Sequence, residues 1–203
     1  MKNEGKNIFS VFDEILTRDE KEKLLGQRSK VLWLTGLSGS GKTTIAKVLE
    51  RELHKKGFIT QLLDGDNIRT GINNNLSFSE EDRKENIRRI SEVAKLFLNC
   101  GIITINCFVS PTESIRGIAR SIIGEEDYLE IFVDTSLEVC EERDTKGLYA
   151  KARAGEIENF TGVNAPFEVP EHPSLKVKTE NMTVEESAKV ILDHILPIVQ
   201  LRS

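Results

Sequence analysis

Gly36-Leu37-Ser38-Gly39-Ser40-Gly41-Lys42-Thr43 has the spacing of a glycine-rich phosphate-binding loop. In such a loop the backbone N–H groups converge on phosphate oxygens, and the dipole of the following helix adds positive potential. Lys42 would reach the β- and γ-phosphates of a nucleoside triphosphate, and the Thr43 hydroxyl would ligate Mg²⁺. Asp64 and Asp66 are a second pair with chemical reach. If the chain stays extended there, residues two apart face the same side, and both carboxylates converge on one site. Such a pair can hold Mg²⁺ through water or accept a proton from an attacking hydroxyl. Asp64-Gly65-Asp66-Asn67 is equally good turn chemistry, and that reading stays open.

Arginines form a third group. Arg83 and Asn86 lie three apart, in line with Ile87 and Ile90, so the inward stripe of their helix begins with a guanidinium and an amide. With Arg69, Arg83 could clamp a phosphate or sulfate in bidentate fashion. Lys146, Lys151 and Arg153 lie in a glycine-rich stretch that could close over nucleotide, or could be plain exposed charge.

The elements that must position these groups alternate. Val31 to Thr35 reads as a buried strand before the loop, and Ile45, Ala46, Val48, Leu49 and Leu53 recur at helical spacing after it. Further strands are expected over Phe58–Leu63, Ile102–Val109, Tyr128–Asp134 and Leu175–Lys178. Ser79 reads as the N-cap of a helix running to Gly101, and Thr183 and Glu186 as a capping box opening the last helix. This alternation predicts an α/β domain with a parallel sheet, helices on both faces, and ligands at the carboxyl ends of the strands. Asp144 to Glu171 breaks the pattern with little apolar periodicity, and a stretch of that length is usually functional.

The 203 residues suggest one domain, and the 38% hydrophobic and 30% charged composition is that of a soluble protein. A net charge of −5 argues against nucleic acid as the main partner. No apolar run is long enough for a membrane span and Met1–Lys6 has no signal-like core, so a cytoplasmic protein with no membrane partner is expected. Cys100, Cys107 and Cys140 form no C-x-x-C pair, and inert core thiols are expected at Cys100 and Cys107.

The chain resembles the adenylylsulfate kinase family. The resemblance rests on Gly36–Thr44, on Leu63-Asp64-Gly65-Asp66-Asn67-Ile68-Arg69, and on the run from Phe78 through Asp82-Arg83-Lys84-Glu85-Asn86-Ile87-Arg88-Arg89. It continues through Phe108-Val109-Ser110-Pro111, Arg143–Tyr149, Lys151–Ile157 and Asn159-Phe160-Thr161-Gly162. The loop is shared by many kinases, whereas the other blocks in this order are specific.

That resemblance implies a three-layer α/β/α P-loop kinase fold with a five-stranded parallel sheet, an extension over 1–26, a kinase domain over 27–203 and a mobile lid over about 144–171. It implies transfer of a phosphoryl group from ATP, with Mg²⁺, to the 3′-hydroxyl of adenosine 5′-phosphosulfate, and a homodimer. Gly36, Leu37, Ser38, Gly39, Ser40, Gly41, Lys42, Thr43, Thr44 and Arg153 would hold ATP. Thr43 and Asp64 would hold the metal, and Asp66 would stand nearest the reacting hydroxyl. Asp66, Asn67, Ile68, Arg69, Phe78, Arg83, Asn86, Lys146 and Phe160 match acceptor-binding positions, with Phe78 and Phe160 on the two faces of the adenine. Ser110 matches a serine that the family carries as a phosphorylated intermediate, although direct in-line transfer needs no such nucleophile. Thr112-Glu113-Ser114-Ile115 departs from the tyrosine and charged residues common there, and Ala150 stands where a lysine is common.

Two other readings remain at this point. A kinase for a sugar acid or nucleoside shares the loop, but the aromatic pair suits a base better than a sugar acid. A nucleotide-sensing module without catalysis is disfavoured by the intact Lys42, Thr43, Asp64 and Asp66.

Overall fold

Val31–Thr35 (β1) is buried along its whole length, because it lies at the centre of the sheet with helices on both sides. The computed structural model describes Phe9, Val11 and residues 14–201. Met1–Lys6, the segment read above for a targeting signal, lies outside the described residues. Five parallel strands stand in the order β2-β3-β1-β4-β5, with β2 at Thr60–Asp64, β3 at Ile103–Cys107, β4 at Tyr128–Asp134 and β5 at Leu175–Lys178. The chain fills one side of β1 with β2 and β3, then crosses to the other side with β4 and β5. A crevice therefore opens at the carboxyl end of β1.

The alternation within β1 assigns the two helical layers. Leu32 and Leu34 join the core under α2 (Lys42–Lys55) and α8 (Val184–Val199), whereas Val31 and Trp33 join the core under α4 (Glu80–Asn99) and α5 (Glu113–Ile123). The expected caps are present. Ser79 Oγ accepts from the Asp82 N–H at the start of α4, and Thr183 and Glu186 close a capping box on α8. The predicted three-layer architecture is therefore observed.

Several expectations need correction. β3 stops at Cys107, although Phe108 N–H still donates to Leu34 O at 3.2 Å, so the chain follows β1 beyond the regular ladder. Cys100 is exposed, because it caps α4 at its outer end, whereas Cys107 and Cys140 are buried. The stretch after α6 (Leu137–Arg143) is not structureless: α7 (Leu148–Arg153) forms within it and buries Tyr149 and Ala152. Two inward side chains in six residues are too few to show as a periodic signal.

The segment before β1 is tied to the body. In α1 (Arg18–Leu25) no residue is buried, yet the Arg18 guanidinium donates to both Asp127 carboxylate oxygens, at 2.5 and 2.9 Å, and to Ser29 O at 2.7 Å. Gln27 Nε2 donates to Gly101 O at 2.7 Å.

Candidate active site

The phosphate loop is shaped by close packing against β4 and α6. A Cβ on Gly36 would lie 2.6 Å from Val133 O, so only glycine fits there. Gly41 caps α2 at φ 99°, which turns the first N–H groups of the helix toward the cleft. Lys42 is buried, and its Nζ donates to Gly36 O at 2.8 Å and Leu37 O at 2.7 Å. Burial pulls its ammonium down to about 8 from the ordinary 10.5, against the smaller opposing pull of Cys107, Cys140 and Asp64. A group so placed gains most from an incoming polyanion.

Next to the loop, Thr43 Oγ1 donates to Asp64 Oδ2 at 2.7 Å, and Asp64 is 8% exposed. Asp64 Oδ1 accepts from the Asp66 N–H at 3.0 Å and so caps α3 (Gly65–Thr70). The two carboxylates therefore do not share an extended strand, as their spacing had suggested. Asp64 ends β2 and Asp66 starts a helix, with its own side chain exposed and paired to Lys146 Nζ. Both still line one cleft.

That cleft, about 620 Å³, runs from Ser38–Ile45 past Asp64 and Asp66 to Arg69, Phe78, Arg83 and Phe160. Arg69 lies over the Phe78 ring, 4.3 Å from its centre, and donates to Ser77 O at 2.9 Å. Arg83 Nη2 donates to Asn159 O at 2.7 Å and Nη1 to Thr161 Oγ1 at 3.3 Å, which joins α4 to the segment after α7. Burial holds both guanidinium groups below their ordinary value, and at Arg69 the charge of Arg83 adds to this. Two cations held together at partial burial favour an anionic ligand between them. Phe78 is 64% exposed, an unusual cost for a phenyl ring unless a ligand covers it.

Ser110 sits where β3 leaves the sheet. It is 3% exposed and has φ 43°, a left-handed conformation rare for a serine. Trp33 Nε1 donates to its Oγ at 3.0 Å and Arg116 Nη1 to its carbonyl at 3.1 Å. An N–H donated to Oγ occupies a lone pair, which weakens the oxygen as a nucleophile. No described residue accepts the proton of that hydroxyl as a base would.

A family model for adenylylsulphate kinase matches residues 28–178. The chain belongs to the adenylylsulphate kinase family. It is 61% identical to an adenylyl-sulfate kinase of Bacteroides thetaiotaomicron over 97% of this chain and 98% of that protein. An adenylyl-sulfate kinase of Clostridium acetobutylicum is 50% identical over 95% of this chain and 96% of its own length. Among solved structures, the APS kinase of Mycobacterium tuberculosis in complex with AMPPNP and APS superposes with a TM-score of 0.80 at 46% identity, covering 83% of this chain and 98% of that one.

Not every position carried over from the family faces the cleft. Arg153 is turned to Glu141 and does not line the cavity. Asn67 is exposed on α3, and Ile68 packs against the core under α4. Gly36 and Leu37 do not line this cleft and meet Lys42 through their carbonyls. Asn86 lines the cleft, but its Oδ1 accepts from Asn73 Nδ2 at 3.0 Å, a buried bond that pins the loop before α4.

Other cleft-lining residues were not assigned to the site from the sequence, where Arg143 and Tyr149 stood only within a family block and Thr183 only as a helix cap. Arg143, Thr179, Met182 and Thr183 wall the side of the cleft near β5 and α8, at the end away from Arg69. Their elements are adjacent only because β4 and β5 pair. Tyr149 Oη donates to Ser38 O at 2.9 Å and packs edge-on against Phe160, with ring centres 5.0 Å apart. Burial raises the Tyr149 phenol, which keeps it protonated as a donor to the phosphate loop.

Proposed function

We propose that this chain transfers the γ-phosphoryl group of ATP to the 3′-hydroxyl of adenosine 5′-phosphosulfate, giving ADP and 3′-phosphoadenylylsulfate. The observation that carries the reading is the single cleft joining the phosphate loop to a wall that holds Arg69, Arg83, the exposed Phe78 ring and the half-buried Phe160 ring, with Asp66 at the junction. A triphosphate on the loop and a nucleotide with an anionic group on the far wall would bring their reacting atoms together near Asp66.

Lys42 would exchange its two loop carbonyls for β- and γ-phosphate oxygens, offsetting charge that spreads over the transferred group. The acceptor 3′-oxygen attacks phosphorus in line as the bond to the β–γ bridging oxygen breaks, and Asp66 steers the hydroxyl and takes its proton. Arg69 and Arg83 would hold the phosphosulfate, and Phe78 and Phe160 the adenine, with Lys146 completing the acceptor side. Mg²⁺ fits the Thr43 hydroxyl and Asp64 carboxylate, two adjacent hard oxygen donors; when bound it would neutralise charge on the phosphate oxygens. Ser110 serves as a positioning hydroxyl in this scheme, not as a phosphorylated intermediate.

A cytoplasmic homodimer completes the reading. No described helix is long and apolar enough to cross a membrane, and light scattering at twice the chain mass would establish the dimer. The decisive assay compares coupled ADP release with adenosine 5′-phosphosulfate, gluconate and adenosine. Product phosphorylated at the 3′ position with the first alone supports the assignment, and phosphate elsewhere refutes it.

A further inference from the structure

Trp33 is the chain's one tryptophan and is fully buried on the central strand, yet its indole N–H points at an active-site hydroxyl. An indole nitrogen can only donate. The direction of the 3.0 Å bond to Ser110 Oγ is therefore set, and the serine oxygen must accept. The hydroxyl proton must then point away from the indole. Trp33 lies in the core and Ser110 lines the cleft, so the proton is free to turn to a ligand there.

The backbone supports the same orientation. Thr35 Oγ1 donates to Val109 O at 2.7 Å, and Arg116, 1% exposed, donates to Ser110 O. These bonds hold Ser110 in a left-handed conformation that a serine would leave without such restraint. Arg116 also donates to Glu168 O at 2.9 Å, so the same guanidinium holds the far end of the segment after α7. Ser110 follows β3, between the Asp64 end of β2 and the loop that follows β1. Phe108, Pro111 and Ile115 beside it line the cleft on this side.

We infer that Trp33 is a positioning residue of the acceptor site, its indole N–H fixing the Ser110 hydroxyl as a donor to an anionic oxygen of the acceptor nucleotide. The inference rests on the substrate reading above for the identity of that nucleotide. It also changes what loss of Ser110 means. Ser110→Ala removes the donor and at the same time leaves a buried indole N–H without a partner, so a defect in that variant alone says nothing about a phosphorylated serine.

Trp33→Phe keeps an aromatic ring and deletes the N–H. It should raise KM for adenylylsulfate roughly five- to tenfold, the scale of one net hydrogen bond, with kcat and KM for ATP within about twofold of wild type. The double variant Trp33→Phe/Ser110→Ala should be no worse than Ser110→Ala, because both changes act through one hydroxyl. An unchanged KM for adenylylsulfate in Trp33→Phe overturns the inference, as do two further kinds of result. One is a double variant that returns to wild-type rates, which would mean that the hydroxyl serves only to cap the indole. The other is a Trp33→Phe defect spread over both substrates or additive with Ser110→Ala.

If Trp33→Phe does not fold, the single indole resonance of ¹⁵N-labelled protein gives the same answer. Adenosine 5′-phosphosulfate should shift it in wild type and leave it in place in Ser110→Ala. A wild-type resonance unmoved by saturating ligand overturns the inference. A wild-type enzyme that does not turn over this acceptor refutes the substrate reading instead, and the Trp33–Ser110 bond would still show as a resonance difference between the two ligand-free proteins.

Discussion

Lys146 Nζ pairs with the Asp66 carboxylate, linking the segment after α6 to the first turn of α3 across the mouth of the cleft. Both side chains are more than half exposed, so the pair is weak by itself and easily exchanged for a ligand. A cation from the segment after α6 thus sits on the carboxylate proposed to handle the acceptor proton. Binding of the acceptor would separate the two and give each a substrate atom.

Asp66→Asn tests the carboxylate directly. It preserves size and removes the charge that takes the proton. We expect kcat to fall roughly a hundredfold or more, as for removal of a general base, with the affinity for an ATP analogue largely kept. Near-wild-type turnover would move the role to Asp64 or a bound water.

The buried Lys42 makes nucleotide binding depend on pH. In the free protein this lysine titrates near 8, below its unfolded value of 10.5. The unfolded chain therefore binds more protons between these values, and the destabilisation due to Lys42 is relieved as pH rises through that window. Phosphate oxygens should restore the ordinary high value. Near pH 8, binding of an ATP analogue should then take up about half a proton, seen by calorimetry in buffers of different ionisation enthalpy. At pH 6.5 this uptake should vanish. Lys42→Met should abolish it, and equal uptake in that variant would assign the proton elsewhere.

The strands, the helix starts and the phosphate loop were legible in the sequence because they rest on local rules (apolar period, glycine spacing and helix caps), whereas the order of the strands in the sheet was not. Thr43 and Asp64 could be named separately, but their 2.7 Å bond exists only because β2 and the start of α2 reach the same end of the sheet. Asp66 shows the limit of strand arithmetic. Gly65 reads as a turn, yet Asp64 caps a helix there, so the two carboxylates meet the cleft from different elements. Trp33 read only as core, since nothing local to it reports a hydroxyl more than seventy residues away.

Arg116 ties β4 to Ser110 and to the segment after α7. It makes an ion-pair contact with Glu130 at 3.1 Å, both nearly fully buried, and donates to Ser110 O and Glu168 O. Arg116→Ala should cost about 3–5 kcal/mol in urea unfolding, because Glu130 is left as a buried charge with only Arg120 beside it. Arg116→Met combined with Glu130→Leu should recover much of that loss. A cost below about 1 kcal/mol for the single change would mean that the network is as weak as a surface pair.

The segment from Asp144 to Glu171 should respond to ligands unevenly. α7 already buries Tyr149 and Ala152, and Tyr149 is bonded to the phosphate loop, so its amides should exchange slowly without ligand. Beyond α7, Asn159 sits at φ 56°, and Arg83 holds its carbonyl with a cation that the acceptor would also use. Ordering this part costs entropy that the acceptor contacts would offset. Exchange over residues 155–165 should therefore be fast in the free protein and slow with ADP and adenylylsulfate together, while 148–153 changes little. Phe160→Ala should raise KM for adenylylsulfate more than for ATP, since it removes stacking on one nucleotide only. Equal protection of 155–165 with and without ligands would mean a fixed loop, and an ATP-selective defect in Phe160→Ala would place that ring on the other nucleotide.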